Sequence, residues 1–238
     1  MFAQAPSSAG KPAAAKSSAA PDISGVWAEW RRLSVIPNAP KPPGPVSKSD
    51  PMILTPYGQE RFVYNKDPFA PRDRGRNELD PSSHCFPTGP ARLAPPFEIV
   101  QLPTKVMIVY EDDHTLRQIF TDGREHPKDL ELTWNGHSTG KWDGDTLVVD
   151  TVGMRDETWL DGAGHVHSDQ LQMVERIHLL SKDVLEIAKT LSDPKILAKP
   201  WTETTTYPRS PGWDLLEVNR CEDRLQRGVY FGEGPSGL

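Results

Sequence analysis

His137 and Asp150 are the residues whose types and spacing first suggest chemistry in this sequence. Asp143-Gly144 lies between them, and Asp-Gly tolerates the positive φ that a type I′ hairpin turn needs. A two-residue turn there predicts Trp142 opposite Asp145, Lys141 opposite Thr146, Thr139 opposite Val148 and His137 opposite Asp150. Directly opposed residues share a sheet face. One face then holds His137, Thr139, Lys141, Thr146, Val148 and Asp150. The other holds Ser138, Gly140, Trp142, Asp145, Leu147, Val149 and Thr151, and its apolar character makes it the core side. A carboxylate beside an imidazole favours the charged ring and orients it. His137 with Asp150 is therefore either a solvent-facing cross-strand pair or an acid–base dyad lining a polar cavity.

A second turn, Asp122-Gly123, pairs Thr121 with Arg124 and Ile119 with His126 when read in the same way. Arg117, Ile119, Thr121, Arg124 and His126 would then share a face. Guanidiniums beside an imidazole could hold a carboxylate or steady a developing oxyanion, and an exposed hairpin tip would look the same. In the loop Asp161-Gly162-Ala163-Gly164-His165-Val166-His167-Ser168, an extended backbone would project His165 and His167 to one side, a spacing that metal sites use. A metal would need a third ligand, with His126, His137 or Asp161 as candidates. Glu175-Arg176, between Val174 and Ile177, reads as an ordinary cross-strand ion pair. Trp134, Trp142, Trp159, Trp201 and Trp213 could line an apolar pocket, although large aromatic residues are core residues by default. The sequence has no G-x-S-x-G elbow, P-loop, Rossmann fingerprint or H-E-x-x-H, which disfavours hydrolases of the elbow type, nucleotide enzymes and zincins.

The elements that must carry these residues are strands. From Phe97 onward, runs rich in Val, Ile, Thr, Tyr and Trp recur about every ten residues between turn residues, which reads as antiparallel β. They are 97–102, 105–111, 114–121, 137–142, 146–152, 172–180, 184–191 and 201–207, with 215–218 last. Val106-Met107-Ile108-Val109-Tyr110 is apolar on both faces and belongs in the middle of the structure. Before this region, Asp22–Trp27 reads as a first strand, 37–51 as extended Pro-rich chain, and 54–64 as a short helix started by Thr55-Pro56. Residues 65–96 form a long polar stretch, functional or draped over the core. Residues 1–21 are too poor in apolar side chains to order and are expected to form a tail.

The chain has 238 residues, 24 of them Pro, and an apolar fraction of 36%, with a net charge of −6. An acidic surface argues against nucleic acid or an anionic membrane as the main partner. No run approaches the roughly 18 apolar residues of a membrane span. Ala3-Gln4-Ala5 has the small-x-small form that ends a secretory signal peptide, so the mature part of an exported protein is expected. Cys85 and Cys221 suit an oxidising compartment, where they either form a bridge or remain as two buried thiols.

Ser24-Gly25-Val26-Trp27 resembles the Gly-x-Trp start of lipocalin-like barrels. Residues 85–222 resemble a group of uncharacterised exported bacterial proteins. The pattern runs Cys85-x-x-x-Gly89-Pro90-x-Arg92, Pro96-Phe97-x-x-Val100-Gln101 and Asp122-Gly123-Arg124-x-His126-Pro127. It continues from Trp134-x-Gly136-His137-Ser138 through Gly144-Asp145-Thr146-Leu147-Val148-Val149-Asp150-Thr151-x-Gly153, then Trp159-Leu160-Asp161, Gly164-His165-x-His167-Ser168 and Glu175-Arg176. The resemblance implies export and a mostly β fold, and it brings no activity with it. Val166 departs from the pattern, which has Pro between the two histidines.

These readings combine into an all-β, antiparallel, lipocalin-like (calycin-type) barrel with a long Pro-rich N-terminal extension. It would form one domain over 22–222, between a 1–21 tail and a 223–238 C-terminal tail, in the periplasm or secreted. The expected function is that of a lyase, hydratase or isomerase acting on a small apolar or aromatic compound without a cofactor. His137 oriented by Asp150 would move the proton, His165 or His167 would be its partner, and Arg124 with His126 would stabilise negative charge. Arg117, Trp134, Trp159 and Tyr110 would bind the substrate. The alternatives are a non-catalytic carrier of a similar ligand and a His-ligated metalloprotein.

Overall fold

A computed structural model describes residues 20–30, 41, 46–70, 72–73, 76–77, 79–112 and 115–216. The expected tails, His114 and Cys221 lie outside this set, apart from residues 20 and 21. The strands are β1 (Gly25–Trp27), β2 (Ser47–Ser49), β3 (Arg72–Asp73), β4 (Arg76–Asn77), β5 (Phe97–Gln101), β6 (Lys105–Tyr110) and β7 (Leu116–Phe120). They continue with β8 (His137–Asp143), β9 (Thr146–Val152), β10 (Gln172–Ser181), β11 (Val184–Ser192) and β12 (Trp201–Pro208). Ten of them form one curled sheet in the order β1-β5-β6-β7-β8-β9-β10-β11-β12-β2, and β3 pairs with β4 apart from it. A bridge between Trp27 and Arg209 ties the β1 edge to the residue after β12, which gives the sheet its barrel-like curl. Among the described residues no helix is long and apolar enough to cross a membrane.

Eight of the expected strands lie where the β-branched runs put them. Of the ninth, Leu215 and Leu216 lie in no strand, and 217–218 are outside the described residues. The helix α1 spans Pro56–Asn65, one residue beyond its expected end, and Thr55 caps it by accepting from the Gly58 N–H. Gly58 packs so closely on the Ile196 carbonyl that a Cβ there would lie 2.4 Å from the oxygen. This contact seats α1 on the segment between β11 and β12. The long stretch before β5 is draped rather than loose. A short 3-10 turn, Pro81–His84, is capped by Asp80, which also holds Arg92 through two hydrogen bonds. Cys85 is disulfide-bonded.

Both hairpin expectations need correction. At Asp143-Gly144 the turn lies one residue later, so that Asp143 faces Thr146, Thr139 faces Asp150 and His137 faces Val152. His137 is not opposite Asp150. The slip nevertheless preserves both faces, because moving the turn by one residue shifts every partner by two and side chains alternate with period two. Leu147, Val149 and Thr151 are fully buried on the expected core side. At Asp122-Gly123 there is no hairpin. The chain bends there and crosses over, and β8 pairs with β7 in parallel, Ile119 to Ser138 and Phe120 to Thr139. The arrangement is therefore a meander with one parallel step rather than a simple up-and-down barrel. Arg124 and His126 are not partners of Thr121 and Ile119.

The interior divides into two apolar clusters. One runs through Ile23, Trp27, Phe97, Ile99, Ile108, Ile119, Leu147, Val149, Ile177 and Leu185. The other gathers Met154, Leu160, Leu171, Met173, Leu191, Ile196 and Leu197, and Ile196 is the residue on which α1 rests. Polar side chains between and beside these clusters define the sites.

Candidate functional site

Three polar constellations arise from this framework. The first is the loop 161–168. Asp161 Oδ2 lies 2.6 Å from His165 Nδ1, and its other oxygen, Oδ1, accepts the Ala163 and His165 backbone N–H groups. A carboxylate only accepts, so His165 Nδ1 carries a proton, and in the neutral ring the lone pair sits on Nε2. The ring stacks on Phe62 of α1, with centroids 4.2 Å apart and planes 11° from parallel. Burial alone would raise the Asp161 pKa, but His165 and the two backbone N–H groups hold it below the usual carboxylate value. The loop is pinned on both sides. Leu160 N–H donates to the His165 carbonyl, and Asn65 donates to the Gly164 carbonyl. Gly164 has φ 102 and meets Asn65 at a distance that a Cβ could not keep without movement. Arg92 passes close to Gly162, which brings a guanidinium to the loop.

His167 is not a companion of His165. It is 5% exposed, donates from Nδ1 to the Ser168 carbonyl and takes a hydrogen bond on Nε2 from the Thr158 hydroxyl. Both nitrogens are engaged, so the metal reading of the His-x-His pair loses a ligand. No group of three or more His, Cys, Asp or Glu side chains among the described residues is placed to hold a metal. Burial lowers the His167 pKa, although the Ser168 carbonyl and nearby carboxylates oppose it. Because the folded value lies below the unfolded one of about 6.5, the unfolded chain binds more protons between the two values. Stability should fall as the pH drops below about 6.5, until the folded ring also titrates. Urea titrations at stepped pH should show a shallower acid limb for His167→Asn; an unchanged limb would place the proton uptake elsewhere.

The second constellation lies on the outer sheet face. His126 and His137 approach through their Nδ1 atoms at 2.8 Å, so one ring donates and the other accepts. Asp150 sits 3.6 Å from His126 Nε2, so the carboxylate serves His126 rather than His137. Thr139 and Gln172 complete the patch by contacting His126 and Asp150 respectively. His137 stacks on Phe120, over which Arg124 lies at 3.9 Å. Burial, followed by the His126 and Arg124 charges, pushes the His137 pKa down. Arg124 is occupied by Asp122 through a forked pair. His126, His137, Asp150 and Arg124 lie near one another, but in other pairings than expected and on the face opposite Ser138, Val149 and Thr151, away from the barrel interior.

The third constellation is inside. Arg117 is 1% exposed and reaches Glu175 Oε2, Thr151 Oγ1 at 2.8 Å and Ser138 Oγ at 3.3 Å. Glu175 pairs with Arg117 across the interior rather than with its neighbour Arg176, which reaches Asp143 on the surface. Lys189 stands directly opposite Glu175 on one side and Glu203 on the other, and its Nζ lies 3.2 Å from Glu203. A half-open cavity of about 40 Å³ lies against this row, lined among others by Leu93, Phe97, Tyr110, Ile187 and Tyr207. Of the expected substrate-binding residues, Tyr110 lines the cavity and Arg117 stands behind it. Trp159 is buried and Trp134 packs on Phe86 and Arg155, so neither reaches the cavity. Lys189 and Glu203 were missed in the sequence, and Glu175 was read only as part of an ordinary cross-strand ion pair. Their signal was available: Met173, Glu175 and Ile177 alternate with Val174, Arg176 and His178, so the apolar flanks carry Glu175 inward.

No family model, no curated protein and no solved structure matches this chain. What the protein does must therefore be argued from its side chains.

Proposed function

We propose that this protein is a small-molecule enzyme of the lyase, hydratase or isomerase type. It would be built on a lipocalin-like barrel, exported to the periplasm or beyond, and work by acid–base chemistry on an apolar or aromatic compound. The observation that carries the reading is the Asp161–His165 hydrogen bond, which fixes the tautomer and leaves Nε2 available as a base. The stacked Phe62 ring offers an apolar wall beside that nitrogen. This moves the base from His137, whose Nδ1 is taken up by His126 and whose expected carboxylate lies elsewhere. The carrier reading stays in second place on the strength of the interior cavity.

The test incubates the protein with a panel of small hydroxy and carbonyl compounds with apolar or aromatic bodies, followed by proton NMR. One or more should be converted, and His165→Gln should slow the conversion about 10²–10⁴-fold without a change in melting temperature. Turnover at the full rate in that variant would remove His165 as the base. A compound retained but returned unaltered would support the carrier.

A further inference from the structure

We propose that the barrel interior holds a separate site for a small uncharged oxygen compound, a short ketone or alcohol, seated against Tyr110, Tyr207 and Glu175. The site is distinct from the His165 loop and stands whether or not that loop turns over a substrate. Its lining combines the apolar Leu93, Phe97 and Ile187 with the hydroxyls of Tyr110 and Tyr207 and the charged Glu175, Lys189 and Glu203. Its volume of about 40 Å³ suits a few water molecules or a ligand of a few heavy atoms.

The ligand's charge follows from pairing. Glu175 is matched by Arg117, and Glu203 is matched by Lys189, whose ammonium also donates to the Ala91 carbonyl. A charged ligand would enter a half-dry space in which every ionic wall group already has its counter-charge, and its own desolvation would go unrepaid. A neutral ligand meets no such cost. Its oxygen is wanted at Tyr110. Burial pushes that phenol's pKa up to about 12, so the hydroxyl keeps its proton and donates at any ordinary pH. Arg117, behind the cavity wall, donates toward the same hydroxyl oxygen, so the phenol's own O–H is the group turned to other acceptors. Yet Arg117 Nη1, wholly buried, makes no hydrogen bond. Nη1 does not line the cavity; the donor that does is the Tyr110 hydroxyl, and a carbonyl or hydroxyl oxygen supplies the acceptor for it.

The experiment titrates the full chain, carrying ¹³C-labelled tyrosine, with acetone, 2-propanol, acetate and isopropylammonium in turn. Acetone and 2-propanol should shift the Tyr110 and Tyr207 ring signals saturably, at millimolar concentrations. Ligands this small reach a Kd no tighter than roughly 0.05 mM. Tyr110→Phe, checked as folded by circular dichroism, should weaken the binding about tenfold, the effect of one lost hydrogen bond. Tighter binding of acetate or of the ammonium would overturn the charge argument. The site itself falls if neither neutral probe saturates, or if Tyr110→Phe binds them as well as the parent chain.

Discussion

Arg117→Met should lower the unfolding free energy by about 3–5 kcal/mol, because it leaves a buried carboxylate without its cation. Arg117 is 1% exposed, and Glu175 is nearly as deeply buried. The substitution also strips donors from Thr151 and Ser138, two hydroxyls that Arg117 Nη2 serves at once. Those hydroxyls bond to each other at 2.9 Å, so most of the loss falls on Glu175. A buried pair gains little over apolar packing, since desolvation consumes most of the Coulomb attraction, while removing one partner strands the other. The double variant Arg117→Met, Glu175→Met should therefore recover most of the stability. Urea unfolding of the two singles and the double closes the cycle. A loss under about 1 kcal/mol in Arg117→Met would mean that water reaches Glu175 in the folded protein.

The same pair shows how far the fold was legible in the sequence. Strands announced themselves through β-branched runs, and their faces followed from period-two alternation even where the turn was misplaced by one residue. Arg117 was foreseen on a face with Ile119. Ile119 is wholly buried, so that parity already placed the guanidinium inside. What misled the reading was the Asp-Gly code at residues 122–123. The dipeptide permits a tight reversal but does not supply a returning strand, and Arg124–Leu132 has none to offer. That stretch is charged, and Pro127 cannot donate to a ladder. With no partner strand returning, β8 fills the place beside β7 in parallel. Whether His126 reaches His137 or a strand neighbour depends on that crossover, which no local pattern encodes.

The Asp161–His165 contact was closer to view, four residues apart in a glycine-bearing loop, and it supports the largest kinetic effect expected. Asp161→Asn should reduce turnover of whichever compound the protein converts by about 10²–10⁴-fold, as much as the loss of His165 itself. The reason is the proton's position. Asp161 Oδ1 accepts two backbone N–H groups and Oδ2 accepts from His165 Nδ1. An asparagine must keep its single oxygen on the backbone donors, since leaving both N–H groups unmet would unfold the loop. Its amide N–H₂ then points at His165 and accepts nothing. His165 Nδ1 must give up its proton to accept from the amide, which shifts the hydrogen to Nε2 and blocks the base. The ring stays on Phe62 and the fold stays intact, so this loss cannot be mistaken for unfolding. Nitrogen-15 NMR of the imidazole reads the tautomer directly: Nδ1–H in the parent chain, Nε2–H in the variant. An Nε2–H tautomer in the parent chain, or undiminished turnover in Asp161→Asn, would show that Asp161 shapes the loop without directing any proton.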